Sequence, residues 1–225
     1  MGLQVSFLRP IRDPLLHFVA KANELGVQTV LDVGANIGQF GQSLRSDGYR
    51  GRIVSFEPLS VAHARLSEIA KNDALWDVAP RCALGEATGS LEINISHNLA
   101  SSSLLKVEER SLAAEPLSGT GSQEAVAVRR LDDVLQPQWG SPLAMKLDTQ
   151  GYELHVLRGA PEALKNVAVL LIEMSLTPLY EGGPGFGEVY ECMTRNGFRC
   201  IGLTQGFADL NRHEVLQMDG LFVRD

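Results

Sequence analysis

Residues 30–40 read Val30-Leu31-Asp32-Val33-Gly34-Ala35-Asn36-Ile37-Gly38-Gln39-Phe40: an apolar run that ends in an acid, a turn bracketed by glycines, and the start of a helical pattern. Glycine adopts backbone angles that are closed to other residues, and it lets a ligand approach the main chain. A helix that begins at this turn would direct its free N–H groups and its positive dipole end at a ligand above the loop. The segment therefore predicts the first strand, loop and helix of a nucleotide-type site in an open α/β sheet.

The glycine spacing narrows the kind of ligand. Gly34 and Gly38 are separated by three residues, which is not the dinucleotide pattern, and no Gly-Lys-Ser/Thr follows as a P-loop requires. Asp32 would repel a pyrophosphate but can accept hydrogen bonds from a cationic amino-acid group. This combination favours S-adenosylmethionine over a dinucleotide. The alternative is a structural turn without a ligand, because glycine motifs often match by accident.

Length and composition exclude several classes of protein. A chain of 225 residues suits one α/β domain, and its net charge of −7 argues against nucleic acid as the main partner. The three cysteines, Cys82, Cys192 and Cys200, lack C-x-x-C spacing, which favours a reducing, cytoplasmic location. No apolar run approaches the roughly 20 residues of a membrane helix, and no secretory segment is visible. The oligomeric state stays open.

The chain before the first strand predicts a helix. Asp13-Pro14 can start it, and apolar residues recur at helical spacing up to Gly26, a typical C-cap. We therefore divide the chain into a helical lead-in, residues 1–26, and a main domain, residues 27–225. The helix either covers the ligand site or simply packs on the sheet.

The second strand, residues 51–57, again ends in an acid. Glu57 follows Asp32 by 25 residues, close to the roughly 20-residue interval at which an acid meets the ribose in doubly wound sheets. We expect Glu57 to accept from the ribose hydroxyls and Pro58 to stiffen the strand exit; a solvated Glu57 is the alternative. Residues 78–84 form the predicted third strand, whose end brings Cys82 and Ala83 to the adenine position through their main chain.

The middle of the chain departs from regular βαβ alternation. Residues 89–95 and 124–128 alternate like strands, and a long polar stretch, residues 97–123, lies between them. We expect a β-rich insert at about residues 88–130 that serves as a lid or reads the acceptor. A variable surface loop is the alternative.

Two later strands also end in acids. Residues 142–148 end at Asp148, and residues 167–173 end at Glu173. A helix follows Gly151, and residues 187–196 predict another. Residues 198–203 and 220–224 complete the predicted sheet.

Several motifs together resemble the FkbM-type methyltransferases: Leu31–Gly38, Phe56-Glu57-Pro58, Ala83-Leu84-Gly85, Leu131-Asp132-Asp133, Lys146–Glu153 and Leu157–Ala160. The resemblance runs from about residue 27 to about residue 180, and the Lys146–Ala160 block makes it specific. It implies a class I methyltransferase, Rossmann-like α/β fold: a seven-stranded, mostly parallel sheet with an antiparallel last strand and helices on both faces. It also implies O-methylation of a hydroxyl on a sugar, glycolipid or natural product.

The resemblance assigns Asp32, Gly34, Asn36 and Gly38 to the cofactor loop and Glu57 to the ribose, and it places Asp148 beside the sulfonium and the acceptor. Together with the assignments above, the predicted cofactor-binding residues are Asp32, Gly34, Ala35, Asn36, Gly38, Glu57, Pro58, Cys82, Ala83 and Asp148. The chain departs from the family at Gln150, where members often carry an acid.

Methyl transfer from a sulfonium requires alignment, exclusion of water and removal of a proton. The candidate bases are Asp148, Glu173, His155 and Glu153, of which Asp148 is favoured. A lone histidine beside the apolar face of a helix, such as His155, is more often structural than catalytic. The helix dipole alone favours an acid in the first turn, where Glu153 lies. A divalent cation held by Asp148 and Glu173 is the less favoured alternative.

Two other functions compete with the enzyme. A non-catalytic S-adenosylmethionine-binding module would keep the same loop, and a crippled acceptor pocket is invisible in sequence. An NAD(P)-dependent oxidoreductase is disfavoured by the glycine spacing.

Overall fold

The structure is a computed structural model that describes residues 14–224. The predicted helix start at Asp13 and the rest of residues 1–13 lie outside this range. The strands are β1 Thr29–Val33, β2 Arg52–Phe56, β3 Trp76–Val78, β4 Ala83–Leu84, β5 Gly89–Ser96, β6 Thr120–Arg129, β7 Leu143–Leu147, β8 Val167–Ser175, β9 Arg199–Gln205, β10 Ala208–Asp209, β11 Glu214–Val215 and β12 Gln217–Val223. The α-helices are α1 Pro14–Glu24, α2 Gln39–Ser46, α3 Ser60–Ala70, α4 Glu109–Ala114, α5 Leu131–Val134, α6 Glu153–Arg158, α7 Pro161–Lys165 and α8 Phe186–Arg195. Within residues 14–224, the helices are all too short or too polar to cross a bilayer.

Seven strands form the main sheet in the order β3-β2-β1-β7-β8-β12-β9. The first five are parallel, and β12 runs antiparallel to both β8 and β9. Val33 pairs with Phe56 on one side and with Leu147 on the other, so β1, β2 and β7 end at the same level. The residues that follow these strands therefore share one edge of the sheet. The predicted class I architecture is confirmed.

Helices cover both faces of the sheet, as predicted. Alternate residues of a strand point to opposite faces: Val30 packs with Phe18 of α1 and Leu44 of α2, whereas Leu31 packs with Val156 of α6 and Leu164 of α7. All five residues of β1 and all five of β7 are buried, which explains their nearly continuous apolar sequences.

The third predicted strand, residues 78–84, is wrong as one element. The edge strand of the main sheet is β3, which ends at Val78, and the chain bends at Pro80 and Arg81. The short strand β4 instead pairs with β6 in a separate three-stranded sheet of order β4-β6-β5. The reason is Pro80, because a proline cannot donate to a ladder in the middle of a strand.

An antiparallel hairpin forms the frame of the insert. Gly89 pairs with Val128 and Ser96 with Thr120, so β5 and β6 run side by side for their whole length. The chain between them folds back across the hairpin, where the Asn94 side-chain amide donates to the main-chain oxygens of Ser103 at 3.2 Å and Leu105 at 3.0 Å. These bonds hold residues 99–104, the insert segment, over the carboxyl edge of the main sheet.

Helix α1 combines both roles that the sequence left open. Phe18, Val19 and Ala22 are buried against the sheet. Pro14 and Leu15, at the start of the helix, line the cavity at the carboxyl edge.

Candidate functional site

A cavity of about 430 Å³ opens at the carboxyl edge of the parallel strands. Its walls come from the glycine loop at residues 34–36, the exit of β2 at residues 57–59, residues 82–84, the insert segment and the chain from Lys146 to Gln150. Glu173 of β8 and Asp219 of β12 complete it. Ligands of open α/β sheets bind at this edge, and the volume lies in the range of small-molecule sites.

The glycine loop is shaped by close packing. Gly34 has φ of 78°, and a Cβ there would overlap the main-chain oxygen of Asp148. Gly38 has φ of 92°, and a Cβ there would lie 3.0 Å from Leu66 Cδ1. The main-chain N–H groups of Gly34 and Ala35 both donate to the Phe56 oxygen, at 3.1 and 3.0 Å. The loop is thus fixed to β2 before any ligand enters.

Glu57 holds the glycine loop with its carboxylate. Oε2 accepts from the Asn36 N–H at 2.7 Å, and Oε1 accepts from the Leu59 N–H at 2.8 Å. The side chain lines the cavity although the residue is only 5% exposed, and this burial raises the pKa of Glu57 to about 7 against the effect of the two N–H donors. Each oxygen keeps a second lone pair. Glu57 can therefore accept from ribose hydroxyls, and that role stays a prediction.

The predicted adenine side of the cavity is more apolar. Pro58, Cys82 and Ala83 line it, and the last two are 6% exposed. Burial raises the pKa of the Cys82 thiol, which disfavours nucleophilic chemistry there.

Asp32 lies below the glycine loop and does not belong to the cavity wall, where a cofactor contact would be made. It is fully buried, and its Oδ2 accepts from the Ser55 hydroxyl at 3.2 Å. Burial raises the pKa of Asp32, while the nearby Lys146 ammonium, 3.6 Å from Oδ1, lowers it. The structure thus places Asp32 under the loop rather than on the wall of the cavity.

Lys146 is the main residue of the site that the sequence analysis missed. It faces Asp32 directly across the β1–β7 pair. Its ammonium donates to the Gly34 oxygen at 2.9 Å and lies 3.3 Å from Asp148 Oδ2. Burial lowers the pKa of Lys146, but the charges of Asp148 and Asp32 outweigh this and raise it, so the cation persists. A lysine inside an apolar, buried strand was the available indication, since buried lysines are paired.

Three acids meet at the other end of the cavity. Asp148 follows β7, and Glu173 and Asp219 sit directly opposite one another on β8 and β12. Burial, followed by the charge of Asp148, raises the pKa of Glu173 well above its usual range and that of Asp219 to about 6. Asp219 was not among the predicted site residues, because the last strand was predicted to begin at Gly220, whereas β12 begins at Gln217.

The other two candidate bases lie differently. His155 stacks on Tyr152 at 4.2 Å between ring centroids, and its Nδ1 lies 3.3 Å from Glu86 Oε1, outside the cavity lining. The buried Glu153 carboxylate accepts from the N–H groups of Thr149 and Gly151 at 2.9 and 3.1 Å. The structure therefore brings Asp148 and Glu173 to the cavity but not His155, and Glu153 fixes a turn.

The carboxylates of Asp148 and Glu173 are bridged by an amide. Gln150 Nε2 donates to both, at 2.6 and 3.0 Å. Across residues 14–224, no group of three or more His, Cys, Asp or Glu side chains has an arrangement that could hold a metal ion. The arrangement supports proton transfer by carboxylates next to a fixed ammonium group.

The sequence matches the family model described as the methyltransferase FkbM domain, over residues 32–200. The chain is 33% identical to methyltransferase sdnD of Sordaria araneosa over 167 residues, 62% of this chain and 64% of that protein. It is 25% identical to the hexuronic acid methyltransferase AglP of Haloferax volcanii, over 74% of this chain and 63% of that protein. The chain thus spans just under two thirds of the length of these curated relatives.

Solved structures share the fold. An S-adenosylmethionine-dependent methyltransferase from Mesorhizobium loti has a TM-score of 0.53 at 10% identity and covers 92% of this chain and 96% of its own. The magnesium protoporphyrin IX methyltransferase of Synechocystis, solved with bound SAM, has a TM-score of 0.51 at 11% identity over 94% of this chain and 76% of its own. The family match covers most of the chain. The chain belongs to the FkbM methyltransferase family, which confirms the family that the sequence motifs predicted.

Proposed function

We propose that this methyltransferase acts on a hydroxyl group of a neutral small molecule or glycan. One observation carries the proposal: Glu57 and the acids Asp148 and Glu173 line one cavity at one edge of the sheet. Glu57 follows β2 and Glu173 lies on β8, three strand intervals away. At about 4.8 Å per interval this is roughly 14 Å, enough for an extended nucleoside with an amino-acid arm.

The residues present fit S-adenosylmethionine. Glu57 would hold the ribose, Cys82 and Ala83 would contact the base, and the glycine loop would carry the amino-acid arm beside Lys146. Gly34 supports this arrangement because its missing side chain lets the glycine loop lie directly against the main chain of Asp148. Bound there, the cofactor supplies an electrophilic methyl group on a sulfonium.

Asp148 is the proposed base. Its side chain is 39% exposed and lines the cavity, while Lys146 and Gln150 contact its two oxygens. The Asp148 carboxylate would accept the hydrogen bond of the acceptor hydroxyl and remove its proton as the new O–C bond forms. Glu173 lies next to it with a pKa raised by burial, so an ionised Glu173 would accept this proton from Asp148 and regenerate the base.

The charge of the acceptor end supports a neutral acceptor. Asp148, Glu173 and Asp219 line it against one ammonium group, Lys146. An additional carboxylate on the acceptor would raise the cost of bringing like charges together. We place the reaction in the cytoplasm, since the three cysteines are free thiols, as in reducing compartments.

The test is a transfer assay with methyl-labelled S-adenosylmethionine and two matched acceptor panels, neutral glycosides and the corresponding uronates. We expect labelled methyl ether from the neutral panel, and turnover lost in Asp148→Asn although S-adenosylhomocysteine still binds. Near-normal turnover in that variant would overturn the role of Asp148. Preferred methylation of uronates would overturn the neutral acceptor. Cofactor binding without transfer to any hydroxyl would favour a non-catalytic binding module.

A further inference from the structure

Gln150 adopts an unusual conformation next to the proposed base. Its φ is 55°, in the left-handed region that non-glycine residues rarely adopt, and Gly151 follows with φ of 92°. The Glu153 carboxylate holds the turn through the N–H groups of Thr149 and Gly151. Such conformations persist where the surroundings over-determine them, and they cluster at functional sites. The turn therefore presents the Gln150 side chain in one fixed direction.

Three hydrogen bonds define the orientation of the Gln150 amide. Nε2 donates to Asp148 Oδ1 at 2.6 Å and to Glu173 Oε2 at 3.0 Å, and Oε1 accepts from the Tyr180 hydroxyl at 2.5 Å. Burial, with the charge of Glu173 next, raises the pKa of Tyr180, so the hydroxyl keeps the proton that it donates. An amide has two N–H donors and one carbonyl acceptor, and each is engaged here. A flipped amide would place its oxygen against two carboxylates.

The Asp148 carboxylate is held from both sides. Lys146 Nζ lies 3.3 Å from Oδ2, and the Gln150 amide binds Oδ1. The Lys146 ammonium stabilises the negative charge of Asp148, whereas the Gln150 amide fixes the orientation of the carboxylate. The amide can do so because it is planar and stands on a strained, fixed turn, so it has little freedom to move.

Gln150 is also joined to the insert segment, residues 99–104. The Ser103 hydroxyl donates to the Gln150 main-chain oxygen at 2.7 Å, and the Tyr180 hydroxyl lies 3.4 Å from the Ser101 oxygen. Because the insert segment lines the cavity, Gln150 connects Asp148 at the sheet edge with the cavity wall above it.

We propose that Gln150 is a positioning residue: its side-chain amide fixes the Asp148 carboxylate toward the acceptor, and its main-chain oxygen binds the insert segment through Ser103. The role of Asp148 as base rests on the proposed function, but the hydrogen bond between the two side chains does not. Among residues 14–224, six ionisable groups interact electrostatically with Asp148: Asp32, Lys146, Glu153, Glu173, Tyr180 and Asp219.

The test is carbon NMR of the Asp148 carboxyl group at one fixed pH, with the resonance assigned through Asp148→Asn. In Gln150→Leu this resonance should shift, because the carboxylate loses the donor that binds its Oδ1. Tyr180→Phe should shift it less, since the amide remains but loses the contact that orients it. Gln138→Leu, an exposed glutamine substitution, is the control and should leave the Asp148 resonance unchanged. An unchanged Asp148 resonance in folded Gln150→Leu would overturn the proposal.

A second variant, Gln150→Asn, keeps the proposal testable if Gln150→Leu does not fold. Asn tolerates the left-handed conformation and is one methylene shorter, so Gln150→Asn should keep the turn and still shift the Asp148 resonance. Calorimetric titration with S-adenosylhomocysteine distinguishes a role of Gln150 in positioning Asp148 from a role in binding the cofactor. Binding by Gln150→Leu within about threefold of wild type, or ~0.7 kcal/mol, supports positioning. A loss as large as that of a Glu57 variant would mean that Gln150 serves the cofactor and would contradict the proposal. If the wild type itself fails to bind, the proposed function fails, and the NMR result still decides the role of Gln150.

Discussion

The Glu57 carboxylate and the Asn36 N–H are joined by a hydrogen bond of 2.7 Å, which ties the exit of β2 to the glycine loop. The other oxygen of Glu57 holds the Leu59 N–H. One buried acid therefore holds the glycine loop, holds the residue that precedes the next helix, and faces the cavity. This geometry makes Glu57 the most informative position for tests of cofactor binding.

Replacing this acid with its amide should weaken cofactor binding. In Glu57→Gln one oxygen becomes an N–H₂ donor that meets a main-chain N–H, so the loop loses one contact and the ribose one acceptor. We expect the Kd for S-adenosylhomocysteine to rise by about tenfold or more, equivalent to ~1.4 kcal/mol, as measured by calorimetry. The exposed Glu92→Gln is the matched control. An unchanged Kd in Glu57→Gln would remove the ribose role.

Cofactor binding should also depend on pH through the same group. The pKa of Glu57 is raised to about 7 by burial, so its protonated form dominates below that value and its ionised form above it. Only the ionised form accepts with both oxygens. The Kd of the wild type should therefore be about tenfold weaker near pH 6 than near pH 8, because the competent fraction falls. The Glu57→Gln variant should lose most of this dependence; an equal slope in both proteins would assign the titration to another group.

The buried pair of Asp32 and Lys146 should be essential for stability. Lys146→Met leaves the fully buried Asp32 without its ammonium partner, and breaking a buried pair costs about 3–5 kcal/mol. We expect a loss of this size in the free energy of urea unfolding. The double variant Asp32→Asn/Lys146→Met should recover part of it, because no unpaired charge remains. Lys165→Met, which breaks an exposed pair with Glu162, should cost under about 1 kcal/mol. Equal costs for the two single variants would contradict the assignment.

Gly34 and Gly48 have similar backbone angles but different surroundings, so alanine variants of the two distinguish the cost of steric overlap from the cost of backbone strain. Gly34 and Gly48 have φ of 78° and 94°, but a Cβ on Gly34 would overlap the Asp148 oxygen, whereas nothing lies within 4 Å of one on Gly48. Gly48→Ala should cost only the left-handed strain, about 1 kcal/mol. Gly34→Ala should cost several times more, since β1 and β7 must separate, or fail to fold. Similar thermal unfolding midpoints for both variants would contradict the packing around Gly34.

The strands that were predicted best from sequence are those with a distinctive residue pattern of their own. The strands β1, β2, β7 and β8 are apolar runs that end at or near acids, and parallel pairing brings those ends to one edge. It failed at residues 78–84, where Pro80 diverts the chain into a second sheet.

Side-chain contacts across strands were harder to predict. Lys146 faces Asp32 through strand register, and Asp219 faces Glu173 through an antiparallel return from the end of the chain. Such pairings are fixed by tertiary structure, so spacing along the sequence does not reveal them. The helical spacing of His155 likewise did not indicate that Tyr152 and Glu86 would hold it outside the cavity.

The most direct test of the account is calorimetric titration of the purified protein with S-adenosylhomocysteine, with folding verified by circular dichroism. We predict one-site binding with a Kd of about micromolar, equivalent to ~8 kcal/mol, weakened in Glu57→Gln and retained in Asp148→Asn. A folded protein that gives no binding heat, and whose thermal midpoint the ligand does not raise, would contradict the assignment of the cavity to this cofactor.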